Sequence, residues 1–209
     1  LVAIKQLNPN ERLSSYRELI CLFECRCPNI VGIIGAGPSP AGKDLKYIVI
    51  EFAPNSSLEN PRFNKRCDAP FQTKYTMSHA FLWFLHAANA LEYLHEHCSP
   101  TKIHRDIKPA NMILFDECRL LKLCDFGTAR EEDEDVTLHQ GSIKYMAPEV
   151  LAPRTNERPK RYDRSADIYS LCASFWEVFT RTDYSKSFQP IEGCPKIVQD
   201  LLKRYVAKF

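Results

Sequence analysis

No apolar run in the 209 residues approaches the ~20 needed for a membrane-spanning helix. No basic stretch followed by an apolar segment and a cleavage site opens the sequence. These absences lead to the expectation of a soluble, intracellular, cytoplasmic chain. Charge of one sign is also missing: 28 Lys and Arg face 26 Asp and Glu, a formal net charge of +2. That balance gives no reason to expect nucleic acid or an anionic membrane surface as a partner. Opposite charges are interspersed except in one acidic run at residues 131–135. The nine cysteines do not fall into the paired CxxC spacing of zinc sites, so they read as free thiols in a reducing compartment. Cys21, Cys25 and Cys27 come nearest to a metal cluster, but they lie in and just after a helical pattern. His79, His86, His95 and His97 have no HExxH arrangement and read as polar-face or satisfied core histidines. No internal repeat or low-complexity linker is visible.

What is present is enough apolar content, 44%, to bury a sizeable core. Leu1 to Lys5 alternate, with β-branched Val2 and Ile4, predicting a strand that ends in a lysine. Tyr16, Leu19, Ile20 and Phe23 recur at helical intervals and predict a helix over 11–25 carrying Glu18. Cys27-Pro28-Asn29 stops it. Residues 30–34 then read as a buried strand, 37–42 as a loop and 47–53 as another strand. Residues 60–74 show no period. Over 77–97, Phe81, Phe84, Leu85, Ala88, Leu91, Tyr93 and Leu94 predict a long amphipathic helix. Residues 112–115 and 120–124 read as two short strands around a turn at Asp116-Glu117-Cys118. Residues 163–181 read as a helix so apolar that it must sit inside the fold, with Ser165 as its N-cap. A last helical stretch follows at 195–208.

The residues that carry chemistry lie between Ile103 and Gly127. His104-Arg105-Asp106-Ile107-Lys108-Pro109-Ala110-Asn111 is followed, at a hairpin's spacing, by Asp125-Phe126-Gly127 and later by Ala147-Pro148-Glu149. One Asp placed to take a hydroxyl proton, a Lys two residues on, an Asn three further and a second Asp beyond the hairpin suit metal-assisted phosphoryl transfer. Asp125 and Asn111 offer hard oxygen ligands for Mg²⁺. Asp106 with Asp125 could instead form a hydrolytic carboxylate pair, and Asp106 with His104 two thirds of a triad. Neither alternative has its nucleophile or sugar-binding surroundings.

These motifs, in this order, resemble a eukaryotic protein kinase domain. The resemblance implies an α+β, two-lobed fold. Residues 1–53 would form a small lobe of antiparallel sheet plus one helix, and residues 54–209 a mainly helical large lobe. It implies ATP and Mg²⁺ as cofactors, with Lys5 on the α- and β-phosphates, Glu18 holding Lys5, and Asn111 and Asp125 on the metal. Asp106 would orient and deprotonate the acceptor hydroxyl, and Lys108 would neutralise charge near the γ-phosphate. Ala3, Ile50 as gatekeeper, the backbones of Glu51 and Ala53, Ile113 and Cys124 would surround the nucleotide; Cys124 reads either as a thiol made partly thiolate by the cationic metal-lysine site or simply as a small apolar strand residue. Asp167 would anchor the backbone of the catalytic loop. Lys108, together with Ser142 ahead of Ala147-Pro148-Glu149, implies Ser/Thr rather than Tyr acceptors. Thr137 is the leading activation site, with Arg105 ready to pair with its phosphate and Ser142 as second candidate or structural hydrogen-bonding group.

Val2-Ala3-Ile4-Lys5-Gln6, Arg17-Glu18-Leu19, Cys27-Pro28-Asn29-Ile30-Val31 and Leu123-Cys124-Asp125-Phe126-Gly127-Thr128-Ala129 narrow the likeness. They resemble the transforming-growth-factor-β-activated kinase branch of MAP kinase kinase kinases. The implied partners are MAP kinase kinases as protein substrates in a stress or immune cascade, together with adaptor subunits. The sequence starts at the VAIK strand, without the family's Gly-rich loop, and stops soon after residue 188. The resulting expectation is weak ATP binding and poor turnover by residues 1–209 alone. The alternative is a kinase-like interaction module that has lost catalysis.

Overall fold

The computed structural model describes residues 1–8, 12–38, 45–59, 75–131, 142–151, 163–182 and 190–206. The architecture is the α+β arrangement the motifs imply. Strands β1 (Val2–Gln6), β2 (Ile33–Pro38) and β3 (Leu45–Glu51) form an antiparallel sheet in the order β1-β3-β2. Helix α1 (Arg12–Glu24) contacts β2 and β3. The buried strand expected over 30–34 is displaced. Ile30 and Val31 are buried outside any ladder: Ile30 forms an isolated bridge to Leu123 and gives its N–H to Cys27 O (3.1 Å), Val31 N–H donates to Leu123 O (2.9 Å), and β2 starts at Ile33. Strand β2 largely alternates between partly buried and exposed residues, and it runs through Gly37 and Pro38, which the sequence placed in a loop. Apolarity at Ile30 and Val31 therefore reports packing against the segment at Leu123, whereas Ile33 and Ile34 belong to the sheet.

The helical body is built on α2 (Met77–Glu92) and α4 (Arg164–Thr180), with α5 (Lys196–Val206) packed on α4. Aromatic rings interlock between α2 and α4: Phe84 meets Phe175 edge-on at 5.1 Å, and Phe81 meets Phe179 at 4.9 Å. The apolar period of 77–97 is real, but the α-helix ends at Glu92 and a single π-helical turn, Tyr93–His97, completes it. Helix α4 has Asp163, not Ser165, as its N-cap: the Asp163 carboxylate accepts the N–H of Ser165 at 2.8 Å. A carboxylate there also meets the positive end of the helix dipole, which a serine hydroxyl does less well. Twelve of the seventeen residues of α4 are buried, so it runs through the interior as its composition requires.

Two short ladders join these parts. Strands β5 (Met112–Phe115) and β6 (Leu120–Leu123) form the expected hairpin, whose turn holds Asp116, Glu117 and Cys118 at positive φ. Strand β4 (Lys102–Ile103) pairs with β7 (Arg130–Glu131). A short helix α3 (Pro148–Leu151) follows the Ala147-Pro148-Glu149 motif. Among the described residues no helix is long and apolar enough to cross a membrane.

Candidate active site

The site forms where the ends of these ladders meet α1 and α4. Asp106 lies between β4 and a 3₁₀ turn, Pro109–Asn111, that leads straight into β5. Asp125 lies just past β6. The two are brought together because Cys124 N–H donates to Asn111 O at 3.0 Å, continuing the β5–β6 ladder by one step. Arg105 (φ +70°) and Asp125 (φ +63°) both hold left-handed backbone without being glycine. That conformation costs roughly 1–2 kcal/mol each and persists only where surrounding bonds overdetermine it.

Those bonds come from α4. Asp167, fully buried, accepts His104 N–H at 2.8 Å and Arg105 N–H at 2.9 Å, and its Oδ2 lies 3.0 Å from His95 Nε2. The anchoring role expected of Asp167 is thus visible as two backbone bonds on consecutive residues. His104 itself points inward: its Nε2 lies 3.1 Å from Cys124 O and its ring packs on that of Phe126 at 4.8 Å. Thr128 Oγ1 donates to His104 O at 2.9 Å. The two motifs are therefore bonded to each other as well as to α4.

The Asp106 carboxylate is 9% exposed and closely directed. Its Oδ1 accepts Ser142 N–H at 3.0 Å; its Oδ2 accepts Asn111 Nδ2 at 3.0 Å and lies 2.7 Å from Lys108 Nζ. Lys108 also donates to Ser142 Oγ at 2.9 Å. A carboxylate oxygen has two lone pairs, so Oδ1 retains a direction for a further hydroxyl donor. Ser142 is thereby engaged in structural hydrogen bonds through both its N–H and its hydroxyl.

Across the cleft, Lys5 Nζ donates to Glu18 Oε1 at 2.7 Å and to Asp125 Oδ1 at 2.8 Å. Burial works to discharge Lys5, but the Glu18 and Asp125 carboxylates outweigh it and hold its ammonium above the ordinary value. Burial pushes the Glu18 carboxyl up, with Lys5 opposing. Burial also acts to raise Asp125, but the Lys5 hydrogen bond and charge overcome it and hold this carboxyl below its usual value. Helix α1 is further latched to the second motif by Ser14 Oγ, which donates to Gly127 O at 2.6 Å. A Cβ at Gly127 would stand 3.1 Å from Ser14 Oγ, tighter than ordinary contact, so the hydroxyl would have to give way.

The donor set fits Mg²⁺. Asn111 turns its amide nitrogen to Asp106, 2.8 Å from the backbone oxygen, which carries its amide oxygen to the other side of the planar group. That oxygen and the ionised, 45% exposed Asp125 side chain are the hard ligands such an ion prefers.

The remaining expected positions divide. Ala3 pairs with Ile50 across β1 and β3, and Ile50, Ala53 and Ile113 are partly buried against the core. Glu51 donates its N–H to Gly32 O at 3.0 Å, and its carboxylate takes Gly32 N–H and Lys122 Nζ, both at 2.6 Å. Of the two readings of Cys124, the structure supports the apolar one. Burial and the neighbouring Asp125 push its thiol up to about 12, so it is neutral rather than partly thiolate. Thr137 lies outside the described residues. Arg105 is buried, 3% exposed. Sequence reasoning missed Ser14, Thr128 and the part played by His95. His95 falls four residues after buried Leu91 on the same helical face, the one signal that could have singled it out.

Comparison with known proteins agrees with this geometry. A family model described as protein kinase domain matches residues 1–204. Mitogen-activated protein kinase kinase kinase 7 of Drosophila melanogaster is 31% identical over 219 residues, covering 97% of this chain and 30% of its own length. The protein of that name from Homo sapiens is 36% identical over 193 residues, covering 92% of this chain and 29% of its own length. Mitogen-activated protein kinase kinase kinase mom-4 of Caenorhabditis elegans is 30% identical over 180 residues, with 86% and 31% covered. The chain thus spans about a third or less of these curated relatives, and the first two lie in the branch that the sequence resembles. With the matched span enclosing the Lys5–Glu18 pair and both motifs, the chain belongs to the protein kinase domain family.

Proposed function

We propose that this chain carries the catalytic centre of a serine/threonine protein kinase that moves the γ-phosphate of ATP to protein hydroxyls, acting as a MAP kinase kinase kinase on MAP kinase kinases. The observation that supports it most strongly is the Asp106 carboxylate, oriented by Ser142, Asn111 and Lys108, on a loop whose Asn111 is bonded to Cys124 beside the Lys5–Glu18–Asp125 cluster. Phosphoryl transfer asks a protein for positioning and charge stabilisation rather than covalent chemistry. Asp106 accepts the hydroxyl proton through the free direction on Oδ1. Lys108, fixed between Asp106 and Ser142, supplies a positive charge beside the acceptor. Lys5 presents its ammonium to phosphate oxygens while Glu18 limits where it can point. Asp125 and Asn111 would hold a Mg²⁺, which when bound would supply positive charge to screen the phosphates. Glu51, with its N–H already given to Gly32, meets a purine edge only through its carbonyl. The retained Lys5–Glu18–Asp125 cluster weighs against an interaction module without catalysis. Relatives named as mitogen-activated protein kinase kinase kinases support the substrate class; a cytoplasmic setting and adaptor subunits belong to the same proposal.

Asp106→Asn and Asp125→Asn in the full-length protein test this. Each keeps shape and removes charge, and loss of a general base alone should lower transfer at least ~100-fold. Asp106→Asn should leave nucleotide binding intact. Near-normal transfer by either variant would overturn the assignment.

A further inference from the structure

Cys21, Cys25 and Cys27, at the C-terminal end of α1, come nearest in this sequence to a soft-metal cluster, and phosphoryl transfer uses none of them. The fold brings two of the three into register. Cys21 and Cys25 stand one helical turn apart, so their side chains lean the same way, and their sulfurs lie 3.9 Å from each other. Cys25 N–H donates to Cys21 O at 3.0 Å, which continues the helical bonding and fixes that spacing. Both are free thiols, 5% and 7% exposed, whereas Cys27 lies beyond the helix and is partly exposed.

The pair is buried but not sealed. Cys21 lines a cleft of about 160 Å³ together with Arg17, Ile20, Lys102, Arg130 and Glu131, so a small ion entering there meets its sulfur. Lys102 Nζ lies 3.0 Å from Glu24 Oε2. With Glu131 and Glu24 set against the three cations, positive charge is in excess beside the sulfurs among the described residues.

We propose that Cys21 and Cys25 bind one monovalent copper ion as a two-coordinate dithiolate. Thiolate sulfur is the soft donor that Cu(I) prefers, and the reducing conditions that keep thiols free also keep copper monovalent. Ions that need more donors have no place here. Among the described residues no group of three or more His, Cys, Asp or Glu could hold a metal, which rules out tetrahedral zinc. Cu(I), with its filled d shell, is satisfied by two sulfurs. At roughly 2.3 Å per metal–thiolate bond, two bonds in line span ~4.6 Å, so sulfurs 3.9 Å apart accept a bent bridge as they stand and a straight one after a swing of ~0.7 Å. Two S–H protons leave to solvent as one Cu⁺ enters, so the bridge carries one negative charge. A buried charge must be offset, and the excess of positive charge along the cleft does so. The bridge ties the last turn of α1, the helix that carries Glu18, to the residue that follows it.

Titrating the full-length protein, reduced and free of oxygen, with Cu(I) against a chromophoric Cu(I) chelator tests this. Wild type should hold one more ion than Cys21→Ala or Cys25→Ala. The double variant should lose that same single ion, because one thiol without the other makes no site. Cys27→Ala and Cys98→Ala should keep it. Copper should also raise the melting midpoint of wild type by more than that of either variant, since it binds only the folded pair. Where an alanine variant does not fold, Cys21→Val or Cys25→Val fills the space without sulfur and gives the same comparison. Equal copper in wild type and the double variant, two ions lost by the double variant instead of one, or dependence of the ion on Cys27 or Cys98 would overturn the proposal.

Discussion

Replacing Asp167 by Asn should cost this protein far more than its distance from any reacting group suggests. The carboxylate offers two oxygens: Oδ1 takes Arg105 N–H at 2.9 Å, and Oδ2 takes His104 N–H at 2.8 Å and faces His95 Nε2 at 3.0 Å. An amide has one oxygen, so whichever way it turns, its NH₂ confronts one of two consecutive backbone donors. The lost bond to a charged acceptor is worth about 1.5–3 kcal/mol, and the stranded N–H costs a further ~1–3 kcal/mol. Together they come to about 2.5–6 kcal/mol, and the range for breaking a buried charged partnership, roughly 3–5 kcal/mol, lies within it. Against a total stability of about 5–15 kcal/mol that is a large share. At roughly 2–4 °C per kcal/mol for a chain of this size, the melting midpoint should fall about 6–20 °C. Glu117→Gln is the control, because the ion pair of Glu117 with Arg119 is exposed on both sides and contributes little. Denaturant titration of both variants measures the difference. If Asp167→Asn lies within ~1 kcal/mol of Glu117→Gln, the bonds from α4 do not hold the catalytic loop as described.

Gly127→Ala should push Ser14 off Gly127 O and lower phosphate transfer more than stability, and Ser14→Ala in the same background should restore part of the loss; no loss in the single variant would contradict the latch. Alkylation of Cys124 should climb about tenfold per pH unit from about pH 7 to about pH 10 without levelling, as a thiol pushed up to about 12 requires; a plateau near neutrality would show a thiolate. The same shift means the native state keeps a proton that the unfolded chain releases above the ordinary value of 9.0, so Cys124→Ala should reduce the loss of stability as pH rises through that value. Thr137→Ala should blunt activation by an upstream stimulus while leaving nucleotide binding unchanged; unaltered activation would remove Thr137 as the switch.

The sequence reads well where one residue carries one task. Lys5, Glu18, Asp106, Asn111 and Asp125 could be placed because motif order and strand–helix periodicity fix them to within a turn, and the structure brings them together. Helix α4 was legible because so few of its residues could face water. It reads poorly where a residue's meaning depends on what lies opposite. Ile30 and Val31 looked like a sheet strand because burial against β6 and burial within a sheet leave the same apolar signature. Cys124 looked reactive because two cations lie nearby, but burial outweighs their pull. Asp163 and Ser165 are both good caps, and only the backbone angles decide between them. His95, Ser14 and Thr128 act through partners dozens of residues away, and no local pattern marks such pairs.

The most direct measurement supplies the full-length protein with γ-labelled ATP, Mg²⁺ and an inactive MAP kinase kinase, and identifies the labelled amino acid. Label on serine or threonine, lost in Asp106→Asn while that variant still binds nucleotide, is the predicted result. Label on tyrosine, or equal labelling by Asp106→Asn, would contradict the role given to Asp106 and Lys108.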